Sequence, residues 1–173
     1  MNVEDEMELK VRKMQKTDVN ILADINIRGW WMSCSSFMDK DFLESLNPYD
    51  KACKLLSDFD KSNIIVAESE NNVVGYCKYV FNSELTNFLD ADGEIEKLYV
   101  EPTLSNSGIG TFLFKSIIEI FLSKNKHSLV LWCFEDAKQA KLFYQKMGGK
   151  IVYKEMRKIG NREYMDLCFM FSF

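Results

Sequence analysis

The sequence predicts a single α/β domain over residues 1–173, built on a mixed sheet of about seven strands. Three observations carry that prediction. A chain of 173 residues, 47% of them hydrophobic, holds enough apolar mass for one well-packed core and is short for two. Residues 94–134 read as strand, helix, strand, which implies a parallel pair joined by a right-handed crossover. Hairpins flank that unit on both sides, and hairpin strands are antiparallel, so the sheet mixes both senses. No low-complexity linker or internal repeat divides the chain.

Taken in order, "ELKVRKM" (residues 8–14) alternates as a short strand should. "KTDVNILADINIRGWWMSC" offers Thr17 or Asp18 as a helix cap, with Ile21, Leu22, Ile25 and Trp30 near helical spacing. Gly29 interrupts that pattern and weakens the expectation of an unbroken helix. "MDKDFLESL" and "DKACKLLSDFD" are helical segments on either side of an "NPYD" turn. "NIIVAESE" and "VVGYCKYVF" form a hairpin about Asn71-Asn72, since asparagine tolerates the positive φ such turns require. "NSELTNFLDADG" reads as a loop and "GEIEKLYV" as the next strand. The helix opened by Gly108 runs to about Lys124, and "SLVLWCF" is a buried strand. "DAKQAKLFYQKMG" is a helix closed by Gly148-Gly149, and "KIVYKEMRK" pairs with "EYMDLCFMFSF" as a last hairpin.

Composition narrows the function. Twenty-six acidic against 22 basic residues give a net charge of −4, so no nucleic-acid partner is expected. Cys34, Cys53, Cys77, Cys133 and Cys168 are odd in number and form no C-x-x-C pair. Reduced thiols in a cytoplasmic protein, with no metal site, are the expectation. The opening "MNVEDEMELK" lacks the basic and apolar regions of a secretion signal. No apolar run approaches the roughly 18 residues of a membrane helix, so no membrane partner is expected. The one histidine, His127, lies in the polar stretch "SKNKHS" and reads as a turn residue. Histidine-dependent nucleophilic triads would rest on it alone, and a multi-histidine metal site is impossible.

The most informative stretch is "LYVEPTLSNSGIGTFLF". A strand end, a polar segment and then Gly108-Ile109-Gly110 at a helix start is one way to cradle a phosphate, although a glycine pair alone also serves simply to turn the chain. A Walker A loop needs a lysine that "SNSGIGTF" lacks. A dinucleotide loop fits poorly. Its third glycine is Leu113, and residues 101–107 part the strand from the glycines, although Glu135-Asp136 stand where an acid could hold a ribose. As a whole, the stretch resembles motif A of the GNAT superfamily, the GCN5-related N-acetyltransferases. There a strand ending in -L-Y-V-x-P- precedes [QR]-x-x-G-x-[GA]. "AKLFYQKMGGK" separately resembles the family's A-x-x-F-Y-x-x-x-G-F segment. The resemblance is clear over about residues 64–153. It departs at Ser105, where the family has Gln or Arg, and at Ala137, where asparagine is frequent.

The resemblance implies a mostly antiparallel, V-splayed sheet with helices on both faces. It also implies an enzyme, an acetyl-CoA-dependent N-acetyltransferase acting by direct transfer on a primary amine of a small molecule or peptide. The alternative is a non-catalytic acyl-CoA-binding or regulatory protein on the same fold, which Ser105 and Ala137 favour. Coenzyme A pyrophosphate is expected on the loop of Ser105, Asn106, Ser107, Gly108, Ile109, Gly110 and Thr111. The N–H groups from Asn106 to Thr111 converge there on a helix N-terminus. The pantetheine arm is expected along the backbone of Leu98, Tyr99 and Val100. Strict alternation puts Glu94 and Glu96 on one face with Lys97 opposite, so both acids are candidate bases, and the resemblance favours Glu94. Tyr144 matches the family's motif tyrosine as proton donor to the departing thiolate. It is a helper, since that transfer is uphill by about 2 kcal/mol in reference pKa values. Trp30 and Trp31 are candidates to line the acceptor site, with core packing or a homodimer contact as alternatives. Cys133 is expected to be a buried structural thiol.

Overall fold

A computed structural model describes residues 8–61 and 63–173. The reading of the amino-terminal segment falls largely on residues 1–7, which lie outside the described residues. The strands are β1 (Lys10–Lys13), β2 (Asn63–Ser69), β3 (Asn72–Val80), β4 (Glu94–Val100), β5 (Ser128–Phe134), β6 (Lys150–Ile159) and β7 (Arg162–Ser172). They form one sheet in the order β1-β2-β3-β4-β5-β7-β6. Only the β4–β5 neighbours run parallel, as the strand–helix–strand unit required.

Among the described residues, α1 (Val19–Cys34), α2 (Lys40–Ser45) and α3 (Pro48–Ser57) lie between β1 and β2. The helix α4 (Glu84–Leu89) precedes β4, α5 (Ile109–Leu122) makes the crossover to β5, and α6 (Lys138–Lys146) leads to β6. Leu113, Phe114, Ile117 and Phe121 of α5 are fully buried against Cys77, Ile95, Leu129 and Phe169 of the sheet. On the opposite face, Leu22 and Ile25 of α1 and Leu55 of α3 pack on Ile64, Val66 and Tyr76. Each such side chain contributes about 1.5–3 kcal/mol by burial, and the two clusters hold helices to both faces of the sheet. No described helix is long and apolar enough to cross a membrane.

Four local expectations are corrected. The helix α1 runs unbroken through Gly29, where a Cβ would lie 2.5 Å from Cδ1 of Tyr99. The glycine is thus a notch that lets helix and strand meet. "NPYD" is not a free turn but opens α3, where the Asn47 side chain accepts the Tyr49 N–H at 2.9 Å and Pro48 takes the first turn. "NSELTNFLDADG" contains α4, capped reciprocally by Ser83 and Thr86. The β2–β3 turn has its left-handed residues at Glu70 (φ 49°) and Asn71 (φ 63°), and Asn72 is already paired with Ser69.

Candidate active site

The strands β4 and β5 pair over two positions only, Glu94 with Val130 and Ile95 with Leu131. Beyond them β4 continues with β3 as far as Val100 opposite Gly75, while β5 continues with β7 as far as Phe134 opposite Asp166. Each follows its other neighbour, so the two part, and the β5-facing edge of β4 after Ile95 has no strand partner. A cleft of about 550 Å³ opens in the fork. Leu98 and Tyr99 of β4 line one wall, and Leu131 to Phe134 of β5 line the other, with Tyr144 of α6 and Trp30 of α1.

At the far end of β4 the chain turns into α5 through Asn106 (φ 66°) and Gly108 (φ 86°), both left-handed. A Cβ built on Gly108 meets nothing within 4 Å, so the loop's outer face is open. In a helix the first N–H groups have no internal partner, which frees those of Ile109, Gly110 and Thr111 beside the positive end of the dipole. The amides of Asn106 and Gly108 likewise have no backbone partner among the described residues. Two of the predicted loop positions differ. The Ser105 N–H donates to the Pro102 carbonyl at 3.2 Å, and the Ser107 N–H to that of Leu104 at 3.4 Å. Those two amides close a turn and do not present themselves to a ligand.

The alternation of β4 is broken by a bulge. Lys97 stands opposite Lys78 and Ile95 opposite Tyr79, leaving Glu96 as the additional residue. Glu96 reaches Lys78, at 3.0 Å from its Nζ, so Glu96 and Lys97 both neighbour Lys78 and do not take opposite faces. Glu96 lines the cleft. Glu94 does not, and its carboxylate accepts the Ser83 hydroxyl at 2.6 Å where β4 and β5 still pair. Burial pushes its pKa up, opposed by Ser83 and Arg157 and assisted by Glu96.

Tyr144 is 9% exposed and lines the cleft. Burial, with the neighbouring Cys133, Cys77 and Tyr99, drives its phenol well above the usual range. Cys133 also lines the cleft, and burial first, then Asp166, pushes its thiol up to about 12. It is a thiol near neutral pH, as the sequence suggested. The two tryptophans separate. Trp30 lines the cleft beside Phe42 and Phe134, at centroid distances of 5.6 and 6.0 Å. Trp31 is absent from the cleft wall, although both tryptophans pack against the cluster of Cys34, Met38, Leu43 and Tyr164. His127 is exposed in its turn, with its ring against the Phe173 carbonyl.

A further wall, not foreseen from the sequence, comes from the β6–β7 hairpin. Asp166 is 2% exposed, and its Oδ2 holds Arg157 Nε at 3.0 Å. The guanidinium also lies 5.3 Å from the Trp132 ring centroid. Burial raises Asp166 to about 6 despite Arg157, with Glu155 adding to the rise and the Leu167 amide giving only slight relief. Its Oδ1 is buried with no well-formed hydrogen bond. One signal was available: a lone acid inside the apolar run "MDLCFMF" must be buried or paired.

Residues 26–149 match the Acetyltransferase (GNAT) family. An uncharacterised N-acetyltransferase of Archaeoglobus fulgidus is 31% identical over 91 residues, which is 53% of this chain and 62% of that relative's length. The uncharacterised N-acetyltransferase YuaI of Bacillus subtilis is 24% identical over 136 residues, covering 78% of this chain and 76% of its own. In fold, the chain superposes on the PaiA N-acetyltransferase of Thermoplasma acidophilum, solved in complex with coenzyme A. The TM-score is 0.73, with 14% identity over 96% of this chain and all of that one. With the forked sheet and the glycine-opened helix, the match over most of its length makes this chain a member of the GNAT acetyltransferase family.

Proposed function

We propose that the chain is an acetyl-CoA-dependent N-acetyltransferase that passes an acetyl group directly to a primary amine of a small molecule or peptide. The observation that carries this reading is the fork itself, an unpaired β4 edge leading towards the partnerless N–H groups of α5. Acetyl-CoA, when bound, supplies the activated acyl group. The amides of Asn106 and of Gly108 to Thr111 suit a pyrophosphate. The β4 edge along Leu98, Tyr99 and Val100 suits the amide-bearing arm, much as an added strand would bind. The coenzyme A bound to the Thermoplasma relative supports the same assignment.

The acceptor must give up a proton, since an alkylammonium has a pKa of about 10.4. Glu96, on the cleft wall, takes it directly or through a water, while Glu94 sits behind Ser83 as the second candidate. Tyr144, on the cleft wall, would offer its hydroxyl to the departing sulfur. Its raised pKa makes full proton transfer to a thiolate harder than reference values suggest, so it acts chiefly by donating a hydrogen bond. A β4 N–H near the bulge would polarise the thioester carbonyl.

The test is release of free coenzyme A over a panel of primary amines. Turnover above the hydrolysis background is expected for at least one acceptor. The second reading, a non-catalytic acyl-CoA-binding protein, draws on Ala137, which caps α6 without a side-chain hydrogen bond. Thermal stabilisation by coenzyme A with no amine ever acetylated would select it. Stabilisation by NAD and not by coenzyme A would sink both.

A further inference from the structure

We propose that the acceptor amine also carries an acidic group, a carboxylate or a phosphate, and that Lys97 receives it on the β4 wall of the cleft. This rests on the acetyl-transfer reading above. The bulge sets Lys97 opposite Lys78, and Lys51 and Lys54 of α3 line the same recess behind it. Four ammonium groups therefore meet at one place. Two carboxylates answer them, Glu96 at 3.0 Å and Asp58 at 4.0 Å, and both fall on Lys78. Lys51, Lys54 and Lys97 have no ion-pair partner among the described residues.

The recess is too small to hold the anion. Its volume is about 10 Å³, the size of a single water molecule. Lys97, however, lines both the recess and the cleft. An anion thus sits on the cleft side of Lys97, while Lys51 and Lys54 raise the potential there without touching it, Lys78 being answered by Glu96 and Asp58. Burial first, then Lys78, Lys51 and Lys54, lowers Lys97 to about 8, with Glu96 opposing the shift without forming an ion pair with it. Across the cleft, Lys158 adds a further positive charge, while Arg157 is paired with Asp166 at 3.0 Å and lies 3.7 Å from Glu155. Both carboxylates of the cleft wall are therefore taken, and its free charges are positive in a chain whose net charge is −4. A simple alkylamine would place a cation in that field, whereas an amine with an acid at its other end completes it.

The experiment compares three acceptors of equal length: an alkylamine, the corresponding ω-amino acid and the corresponding aminoalkyl phosphate. The wild-type kcat/KM is expected to be at least about tenfold higher for one or both acidic acceptors, as one desolvated charge pair would give. Whichever acid is preferred identifies the anion. Lys97→Met should bring the acidic-to-neutral ratio within about threefold of unity, mainly through KM for the acceptor, and Lys54→Met should lower it less and in a salt-dependent way. The Lys97→Met protein should melt no lower than wild type, since it loses an unpaired buried charge, and this shows that it folds. A wild-type preference for the neutral amine, or a ratio unchanged in Lys97→Met, overturns the inference and leaves acetyl transfer standing. If no amine is acetylated, inorganic phosphate titrated at constant ionic strength decides: a rise in Tm that Lys97→Met lacks supports the anion site, and equal responses overturn it.

Discussion

The α5 loop and the cleft are built from different materials. At the α5 end the groups open to a ligand are backbone amides, presented by a left-handed glycine and an open helix terminus. At the other end they are side chains drawn from α1, β4, β5, β6 and β7, held by ion pairs and aromatic faces. A backbone site tolerates little variation in sequence because its requirement is conformational. A side-chain site tolerates much, because any element that reaches the wall can contribute. The first end suits a ligand shared by a whole family, and the second suits whatever acceptor one member uses.

The sharpest way to break this contrast is Gly108→Val. A β-branched residue at φ 86° is strained by about 1–2 kcal/mol, but its Cβ meets no neighbour, so the protein should still fold. Affinity for coenzyme A should fall by about a hundredfold or more in a direct titration, as Cβ and the lost loop geometry keep phosphate from the amides. An unchanged titration would remove the backbone site altogether. Tyr144→Phe comes next. It keeps the packing against Phe169 and Phe171 and deletes only the hydroxyl, so kcat should fall by about ten- to a hundredfold at constant KM. An intact rate would reduce Tyr144 to a core aromatic.

Glu96→Gln should lower kcat by about tenfold and Glu94→Gln by less, since only Glu96 lines the cleft. The reverse order would return the base to Glu94. The smallest effect concerns stability. Asp166 titrates near 6 when folded, against about 3.9 when unfolded, so the folded chain holds its proton more tightly. Its contribution is fully present below about pH 4 and is lost as pH rises through about 6. Asp166→Asn should therefore show a flatter dependence of Tm on pH across that window. Equal slopes for the two proteins would mean that Arg157 fully compensates the buried carboxylate.

The same division explains how much could be read from the sequence. The element order, the parallel crossover and the glycine loop were legible because each depends on residues close along the chain, such as Gly108 before an apolar-periodic run. The short helix α4 was marked by Ser83 three residues before Thr86, but threonine in place of the usual acid or amide obscured the cap. The bulge at Glu96 was not legible, because it exists only in the pairing of β4 with β3. The union of Arg157 with Asp166 likewise depends on the register of β6 against β7, which sets Glu155, not Arg157, directly opposite Asp166. Trp30 and Trp31 were indistinguishable as neighbours in sequence. The roughly 100° helical step between them puts Trp30 on the cleft wall and Trp31 off it, although both pack against one cluster.

Gly29 has a consequence for how this protein can change. Its missing side chain is occupied by the Tyr99 ring, and that ring in turn stacks on Tyr76 at 5.7 Å. Positions 29, 99 and 76 therefore form a single unit of variation, in which a methyl gained at the first requires a smaller ring at the second. Trp30 is the next residue along α1, and Tyr99 belongs to the strand edge expected to carry the donor arm. Under the proposed assignment, a lineage that enlarges residue 29 alone would push the acceptor wall off the donor track, so a new acceptor pocket is more readily reached through the β6–β7 hairpin than through α1.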